Sequence, residues 1–267
     1  MSKSSPDLSF EALTFRREGR VAIITLNRPK AANGLNAKMG LELRRAAKTC
    51  DSSDDIRAVI ITGSGRFFCA GGDIKEMFDQ GEAVGSAIKN LADDLHMAIS
   101  TLSRMKKPVI MAVNGIAAGA GFSLAISGDI VIAADTAGFT MAYTKAGLSP
   151  DGSSSYFLPR LIGLRRAQDL MFTNRTLSAQ EALNWGLVTR LAPADDLMTT
   201  ALEIAQTLAA GSAGSNAAVK ALLLSSFNNS LETQMELEGR MISANAVSPD
   251  GREGITAFVE KRPPKFS

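Results

Sequence analysis

Histidine, tryptophan, tyrosine and cysteine are scarce in this sequence of 267 residues, which contains one, one, two and two of them respectively. The two cysteines, Cys50 and Cys69, are too few for a disulfide framework, so we expect a reducing cytoplasm. One histidine and two cysteines form no cluster at metal-ligand spacing, so no metal is expected. His96 stands among apolar residues of a helical stretch and is interpreted as structural, and Cys69 has no histidine near it in sequence that would make it a nucleophile.

The sequence also lacks an excess of either charge and any long apolar run. Its 29 basic and 27 acidic residues are spread along the chain and leave a net charge of +2, so no nucleic-acid partner is expected. The longest apolar stretches, such as residues 109–113 and 116–126, are too short or too rich in glycine and serine to span a bilayer, and the N-terminus has no signal-peptide pattern. No membrane partner is expected.

Short runs rich in β-branched residues recur through the first half of the sequence. The runs occupy residues 21–25, 58–62, 108–113 and 130–132. Continuous apolar runs of this length predict strands that are covered on both faces. Helical patterns lie between them at residues 82–102 and at 36–50, where Asn36 is the expected N-cap. The first part of the sequence therefore predicts an α/β fold.

From Ser178 onward the pattern is helical almost throughout, beginning with the capping-box sequence Ser178-Ala-Gln-Glu181. The predicted helices are 194–210, 216–227, 231–246 and 252–260. We therefore expect residues 9–195 to form an α/β core that carries the site and residues 196–267 to form a helical region. Residues 1–8 are expected to be disordered.

Three segments contain residue types that bind ligands or take part in catalysis. The adjacent glycines Gly71 and Gly72 predict exposed backbone N–H groups or, alternatively, only a tight turn. Residues 114–124 predict the start of a buried helix, whose free N–H groups favour negative charge. Asp151 stands between a proline and a glycine ahead of a helix start, where an aspartate is either a turn or N-cap residue or a catalytic carboxylate.

Taken together, these segments resemble the crotonase superfamily of enoyl-CoA hydratases and isomerases, over nearly the whole chain. The motifs that match are Asn-Arg-Pro-Lys at 27–30, Ala-Gly-Gly-Asp-Ile at 70–74, Asn-Gly-Ile-Ala-Ala-Gly at 114–119 and Glu-Gly-Ile-Thr-Ala-Phe at 253–258. The resemblance implies a superhelix of ββα units and a helical region through which subunits assemble as a trimer or a dimer of trimers. It also implies an acyl-CoA thioester as substrate, with coenzyme A as part of that substrate and no separate cofactor.

The resemblance also assigns roles to residues. The backbone N–H groups of Gly72 and Ala120 would hold the thioester oxygen, although Ala120 replaces a common glycine. Hydratases of the family have two catalytic glutamates where this sequence has Ser123 and Tyr143, so hydration by the usual pair is not expected. The contacts implied with coenzyme A or the acyl group are Lys30, Ala31, Ala70, Gly71, Asp73, Ile74, Ser123, Tyr143, Phe258 and Lys261.

Asp151 is then the carboxylate left for acid and base chemistry. Its segment resembles the ring-epoxide and Δ3,Δ2-enoyl-CoA isomerases of phenylacetate breakdown, which predicts an isomerase that moves one proton. Two alternatives stay open, a hydratase with an atypical water site and a protein that binds acyl-CoA without catalysis. The second is disfavoured because binding alone needs no carboxylate beside the thioester.

Overall fold

The computed structural model describes residues 9–267, and the predicted disorder of residues 1–8 lies outside the described residues. The strands of this part of the chain are β1 (Leu13–Glu18), β2 (Val21–Leu26), β3 (Ala58–Gly63), β4 (Phe67–Cys69), β5 (Val109–Val113), β6 (Ile116–Ala118), β7 (Ile130–Ala134), β8 (Gly138–Thr140), β9 (Leu177–Ser178) and β10 (Arg190–Ala192). The helices are α1 (Ala37–Ser52), α2 (Ile74–Asp79), α3 (Val84–Arg104), α4 (Ala120–Ala125), α5 (Ser154–Ile162), α6 (Leu164–Thr173), α7 (Ala179–Asn184), α8 (Leu197–Ala210), α9 (Ala213–Ser226), α10 (Leu231–Val247) and α11 (Pro249–Val259).

The larger sheet has six strands in the order β1-β2-β3-β5-β7-β10. β1 is antiparallel to β2, and every other neighbouring pair is parallel. The residues of β5 are all buried, as are all but one in each of β2, β3 and β7. This burial on both faces is the property that the apolar runs predicted.

A second sheet of four short strands, in the order β4-β6-β8-β9, stands beside the first. The chain passes from three of the long strands to a short one, β3 to β4, β5 to β6 and β7 to β8, and then into a helix or a loop that leads to a helix. β4, β6 and β8 are parallel, with Cys69 opposite Ala117 and Ala117 opposite Phe139. These repeats are the ββα units of the predicted superhelix. Because the three strands are parallel, the segments that follow them meet at one edge of the sheet.

Local signals position the helices where the sequence predicts them. The side chain of Asn36 accepts a hydrogen bond from the Met39 N–H, 3.0 Å away, at the start of α1. Ser178 and Glu181 form the predicted capping box at the start of α7. The observed helix ends differ from the predicted ones by at most a few residues, as expected where terminal turns fray.

The helices of residues 196–267 differ in how they meet the rest of the chain. α8 packs on the larger sheet and buries Leu197, Ala201, Ala205 and Ala209. α9 buries only Lys220, and α10 buries no residue. The division between a core and a helical region at residue 196 stays a prediction, since α8 covers the sheet as a core helix does.

Candidate active site

A cavity of about 460 Å³ opens at the carboxyl ends of β4, β6 and β8. Three segments that follow those strands form its floor, and α3 forms a wall. Parallel strands place ligand sites at this end of a sheet, because the loops that follow them converge there. The lining is mostly apolar, and it includes residues from all three segments that the sequence singled out.

The first segment is the turn around Gly71, where Gly71 has φ of +98°, a backbone conformation that glycine adopts freely. Leu35 receives the turn on one side: its N–H donates to the Gly71 carbonyl at 2.7 Å and its carbonyl accepts from the Asp73 N–H at 2.8 Å. Gly72, between these two bonds, donates its N–H to no acceptor within residues 9–267. An N–H left free in this way is available to a ligand oxygen.

The second segment begins α4 at Ala120, after Gly119 with φ of +50°. As the first residue of the helix, Ala120 has an N–H without an intrahelical acceptor, and no other described residue accepts it. A Cβ built on Gly71 would lie 3.5 Å from the Ala120 nitrogen, so the two turns are in contact. Ala120 also keeps negative φ, as the replacement of a glycine there requires. The two predicted donors therefore line the same cavity side by side.

The third segment brings Asp151 to the cavity, and its carboxylate meets His96 of α3. Asp151 Oδ1 lies 2.7 Å from His96 Nε2, across 55 residues of sequence. The Asp151 side chain is 37% exposed and the His96 side chain is 48% exposed, so both are partly accessible to solvent. Asp151 Oδ2 accepts no hydrogen bond from any described residue. One carboxylate oxygen is thus held by the imidazole, and the other is available for chemistry.

Three hydroxyl groups hold the main chain of Asp151. Its carbonyl oxygen accepts from Ser123 Oγ at 2.7 Å, from Tyr143 OH at 3.1 Å and from Ser154 Oγ at 2.9 Å. Ser123 Oγ and Tyr143 OH also lie 3.0 Å apart. Ser123 is completely buried behind the cavity, whereas Tyr143 lines it. The residues at the two hydratase-glutamate positions therefore bind the protein's own backbone.

Two titratable groups near the turn around Gly71, the Tyr143 hydroxyl and the Cys69 thiol, are held in their protonated forms. Burial raises the pKa of the Tyr143 hydroxyl, with the Asp151 carboxylate as a smaller cause in the same direction. Burial also raises the pKa of the Cys69 thiol to about 12. A phenol and a thiol with raised pKa values are donors rather than bases or nucleophiles near neutral pH.

The structure brings together some of the predicted site residues but not others. Seven line the cavity: Ala70, Gly71, Gly72, Ile74, Ala120, Tyr143 and Asp151. The Asp73 side chain instead caps α2 and binds Arg28 at 2.9 Å. Lys30 and Ala31 lie exposed in the turn 29–31, and Phe258 and Lys261 lie exposed at the C-terminal end of α11, away from this cavity. Their proposed contacts with coenzyme A stay predictions.

The structure places the His96 imidazole against the cavity carboxylate, a contact that the interpretation of His96 as structural did not include. Apolar neighbours on both sides in sequence suggested a packed helix face. A helical signal was available: Ile88 and Ala92 line the cavity wall, and His96 follows at the same spacing of four. That spacing alone does not identify Asp151 as the partner, since this contact depends on how α3 packs.

Within residues 9–267, no three histidine, cysteine, aspartate or glutamate side chains converge as metal ligands would. No helix in the same part of the chain is long and apolar enough to cross a bilayer.

Comparison with known proteins finds relatives that match this chain over nearly its whole length. A family model described as enoyl-CoA hydratase/isomerase matches residues 16–267. A "Probable enoyl-CoA hydratase echA8" of Mycobacterium bovis is 40% identical over 97% of this chain and 99% of its own length. A "1,2-epoxyphenylacetyl-CoA isomerase" of Escherichia coli K12 is 39% identical over 94% of this chain and 96% of its own. The crystal structure of an enoyl-CoA hydratase from Polaromonas sp. JS666 superposes with a TM-score of 0.92 at 35% identity, covering 96% of this chain and 100% of that one.

Proposed function

The chain belongs to the enoyl-CoA hydratase/isomerase family, the crotonase family, and is a crotonase-type acyl-CoA enzyme; on that premise we propose that it is an isomerase of unsaturated or ring-epoxide acyl-CoA thioesters. The observation that carries this proposal is the number of carboxylates. Among the described residues, Asp151 is the one carboxylate that lines the cavity. Isomerisation requires one group that removes a proton and returns it, whereas hydration by the family's usual route requires two glutamates.

For a 3-enoyl thioester, the reaction is a proton transfer from the α-carbon to the γ-carbon. Asp151 Oδ2 removes the α-proton, and the electron pair of the C–H bond moves into a dienolate whose charge rests on the thioester oxygen. The protonated Asp151 then delivers a proton to the γ-carbon, and the double bond lies between the α- and β-carbons. No electrons are gained or lost. The apolar lining excludes water that would compete for the dienolate.

The backbone N–H groups of Gly72 and Ala120 supply the charge stabilisation in this proposal. Each preorganised donor aimed at a developing oxyanion is worth about 3 kcal/mol of transition-state stabilisation. Both N–H groups are free of acceptors among the described residues and lie on touching turns, which supports this role. Their positions depend on backbone geometry, so substitution of side chains affects them only indirectly.

A hydratase with an atypical water site is the second candidate, since the Mycobacterium bovis and Polaromonas relatives are named as hydratases. The hydrogen bonds of Ser123 and Tyr143 weigh against it. Both hydroxyls donate to the Asp151 carbonyl rather than facing the cavity with free donors. A raised pKa also prevents Tyr143 from acting as the base that activates water.

The test compares two reactions of the same enzyme. Isomerisation of a 3-enoyl-CoA and hydration of crotonyl-CoA are measured for the wild type, for Asp151→Asn and for Asp135→Asn, an exposed control. We expect isomerisation to exceed hydration, and Asp151→Asn to reduce kcat for isomerisation by roughly 10³-fold while acyl-CoA still binds. Hydration faster than isomerisation, or an active Asp151→Asn variant, contradicts the proposal. Asp135→Asn is expected to behave as the wild type.

The exposed C-terminal residues enter as a further part of this proposal. Lys261 and Phe258 lie at the end of α11, and their own chain leaves both side chains exposed. Phe258 is 85% exposed. We propose that they approach the coenzyme A nucleotide in an assembled oligomer, together with Lys30. Lys261→Glu is then expected to weaken acyl-CoA binding most at low salt, where charge attraction is least screened. Equal affinity of Lys261→Glu and wild type at low salt contradicts this contact.

A further inference from the structure

The pair formed by His96 and Asp151 stands between two cavities. Asp151 lines the cavity described above, here called the inner cavity. His96 lines a second one of about 810 Å³ between α3, α5 and α9, here called the outer cavity. His96 is absent from the inner lining and Asp151 from the outer lining. The hydrogen bond between them is therefore a polar connection through the wall that separates the cavities.

The outer cavity is polar where His96 faces it. The hydroxyls of Ser103 and Ser153 line it, and neither finds a hydrogen-bond partner among the described residues. Buried hydroxyls without a protein partner are satisfied by water. The charged and titratable side chains that share this lining with His96 are Arg104, Lys220 and Tyr156. Lys220 is bound to Asp129 at 2.6 Å, and no carboxylate is among the described residues that line the outer cavity.

We propose that His96 relays protons between Asp151 and water in the outer cavity, an inference that rests on the proposed role of Asp151. After Asp151 Oδ2 has taken the α-proton, the carboxyl group turns so that this proton lies on the oxygen that faces His96, and it passes to Nε2 of an imidazole whose own proton is on Nδ1. The imidazolium formed in this way releases the Nδ1 proton to water. In the reverse direction, water protonates Nδ1, and Nε2 returns a proton to Asp151. Each exchange moves one proton in and one out, and no bond to carbon changes beyond those of the isomerisation itself.

An imidazole suits this task because its two nitrogens lie on opposite sides of one ring and each binds or releases a proton. The relay has a chemical consequence. The proton delivered to the γ-carbon comes in part from solvent instead of being the one taken from the α-carbon.

The test uses solvent deuterium and the variant His96→Gln. The glutamine amide can still donate a hydrogen bond to Asp151, but it cannot pass a proton from one side to the other. Wild type and variant convert a 3-enoyl-CoA in D₂O, and mass spectrometry measures deuterium at the γ-carbon of the product. We expect deuterium in the wild-type product and roughly tenfold less in the variant product, with a smaller change in kcat. Equal deuterium content in both products, or none from the wild type, overturns the relay.

A second measurement separates this inference from the isomerase proposal. In D₂O the enzyme is incubated with a saturated acyl-CoA, and exchange of its α-hydrogen is followed by mass spectrometry. This exchange needs the base and the relay but no double bond. We expect His96→Gln to slow it roughly tenfold and Asp151→Asn to abolish it. Slower exchange in His96→Gln without isomerase activity in the wild type refutes the proposed function and supports the relay, whereas unchanged exchange in His96→Gln refutes the relay alone.

Discussion

At the scale of single residues, the position of one carbonyl oxygen organises the site. Ser123, Tyr143 and Ser154 all donate to the carbonyl of Asp151, so the main chain beside the reactive carboxylate is held from three directions. Gly152 makes this approach feasible. It has φ of +61°, and a Cβ at this position would lie 2.9 Å from the Cβ of Ser123. Small residues therefore let the buried helix reach the loop that carries Asp151.

Removal of the Ser123 hydroxyl is the residue-scale prediction. Ser123→Ala deletes the shortest of the three bonds, so the Asp151 carboxylate is held less firmly and kcat should fall roughly tenfold, with KM little changed. Steady-state kinetics measure the effect. Ser127→Ala is the matched control, because it also removes a buried serine hydroxyl, one bonded to the Leu124 carbonyl at 2.8 Å. Both variants should lose about 1 kcal/mol of stability, and a similar loss of kcat in both contradicts a special role for Ser123.

At the scale of elements, α4 presses against β4 at Gly121. A Cβ built on Gly121 would lie 2.8 Å from the carbonyl carbon of Cys69 and even closer to the carbonyl oxygen, so backbone would have to move. β4 leads into the turn that holds Gly72, and α4 begins at Ala120. The close approach thus sets the distance between the two oxyanion donors.

Gly121→Ala should therefore impair the site by moving α4 away from β4. We expect a destabilisation of about 1–3 kcal/mol, typical of overpacking. The loss of kcat should be larger than this instability explains, because the two donors separate. Denaturant unfolding and kinetics measure both quantities. A Gly121→Ala enzyme with the kcat of the wild type contradicts the conclusion that the approach of α4 to β4 sets the distance between the two donors.

α9 is tied to the core by the buried cation Lys220. Its Nζ donates to the Leu102 carbonyl at 2.6 Å, to the Lys107 carbonyl at 3.1 Å and to the Asp129 carboxylate at 2.6 Å. Lys220→Met leaves two backbone carbonyls and the partly exposed Asp129 carboxylate without their donor, and it should cost about 1–3 kcal/mol. Lys48→Met, at an exposed position of α1, should change stability by less than about 0.5 kcal/mol. Urea unfolding measures the stability of both variants. Equal stabilities of Lys220→Met and Lys48→Met contradict the role of Lys220 in holding α9 to the core.

At the scale of the whole molecule, the described chain leaves a large apolar surface uncovered. More than half of its exposed large hydrophobic residues lie beyond residue 196, among them Leu223, Phe227, Leu231 and Ile242. α10 has 17 residues and none of them is buried. A helix with apolar residues and no buried face is stable only where something else covers it. A second copy of the chain is the partner that the family resemblance implies.

Assembly through this surface is the prediction for the whole molecule. Light scattering at micromolar concentration should report three or six chains of 28.2 kDa. Ile242→Asp, at a side chain that is 71% exposed, should dissociate the assembly because it places a charge in the contact. Phe172→Asp, at a 76% exposed site on α6, is the control and should leave it intact. A monomeric wild type, or dissociation by Phe172→Asp alone, contradicts an interface in residues 196–267.

The sequence by itself determined those features whose signals are local. Continuous apolar runs marked β2, β3, β5 and β7, because a strand covered on both faces has no polar side. Asn36 and Ser178 marked helix starts, because an N-cap bonds within one turn of its own helix. The motifs that carry the family resemblance also lie in short continuous segments, so the sequence alone indicates the glycine turn, the helix at Ala120 and the loop of Asp151.

Only the tertiary structure decided what depends on contacts between distant residues. β4, β6 and β8 have three residues each, too few for a periodic pattern, and they exist because each pairs with a neighbour far along the chain. The bond from His96 to Asp151 spans 55 residues and follows from the way α3 packs, chiefly against α1. Ser123 and Tyr143 likewise gained their role from folding, since the carbonyl that they share is 28 and 8 residues away. Side-chain partners are set by three-dimensional packing, which one-dimensional spacing does not encode.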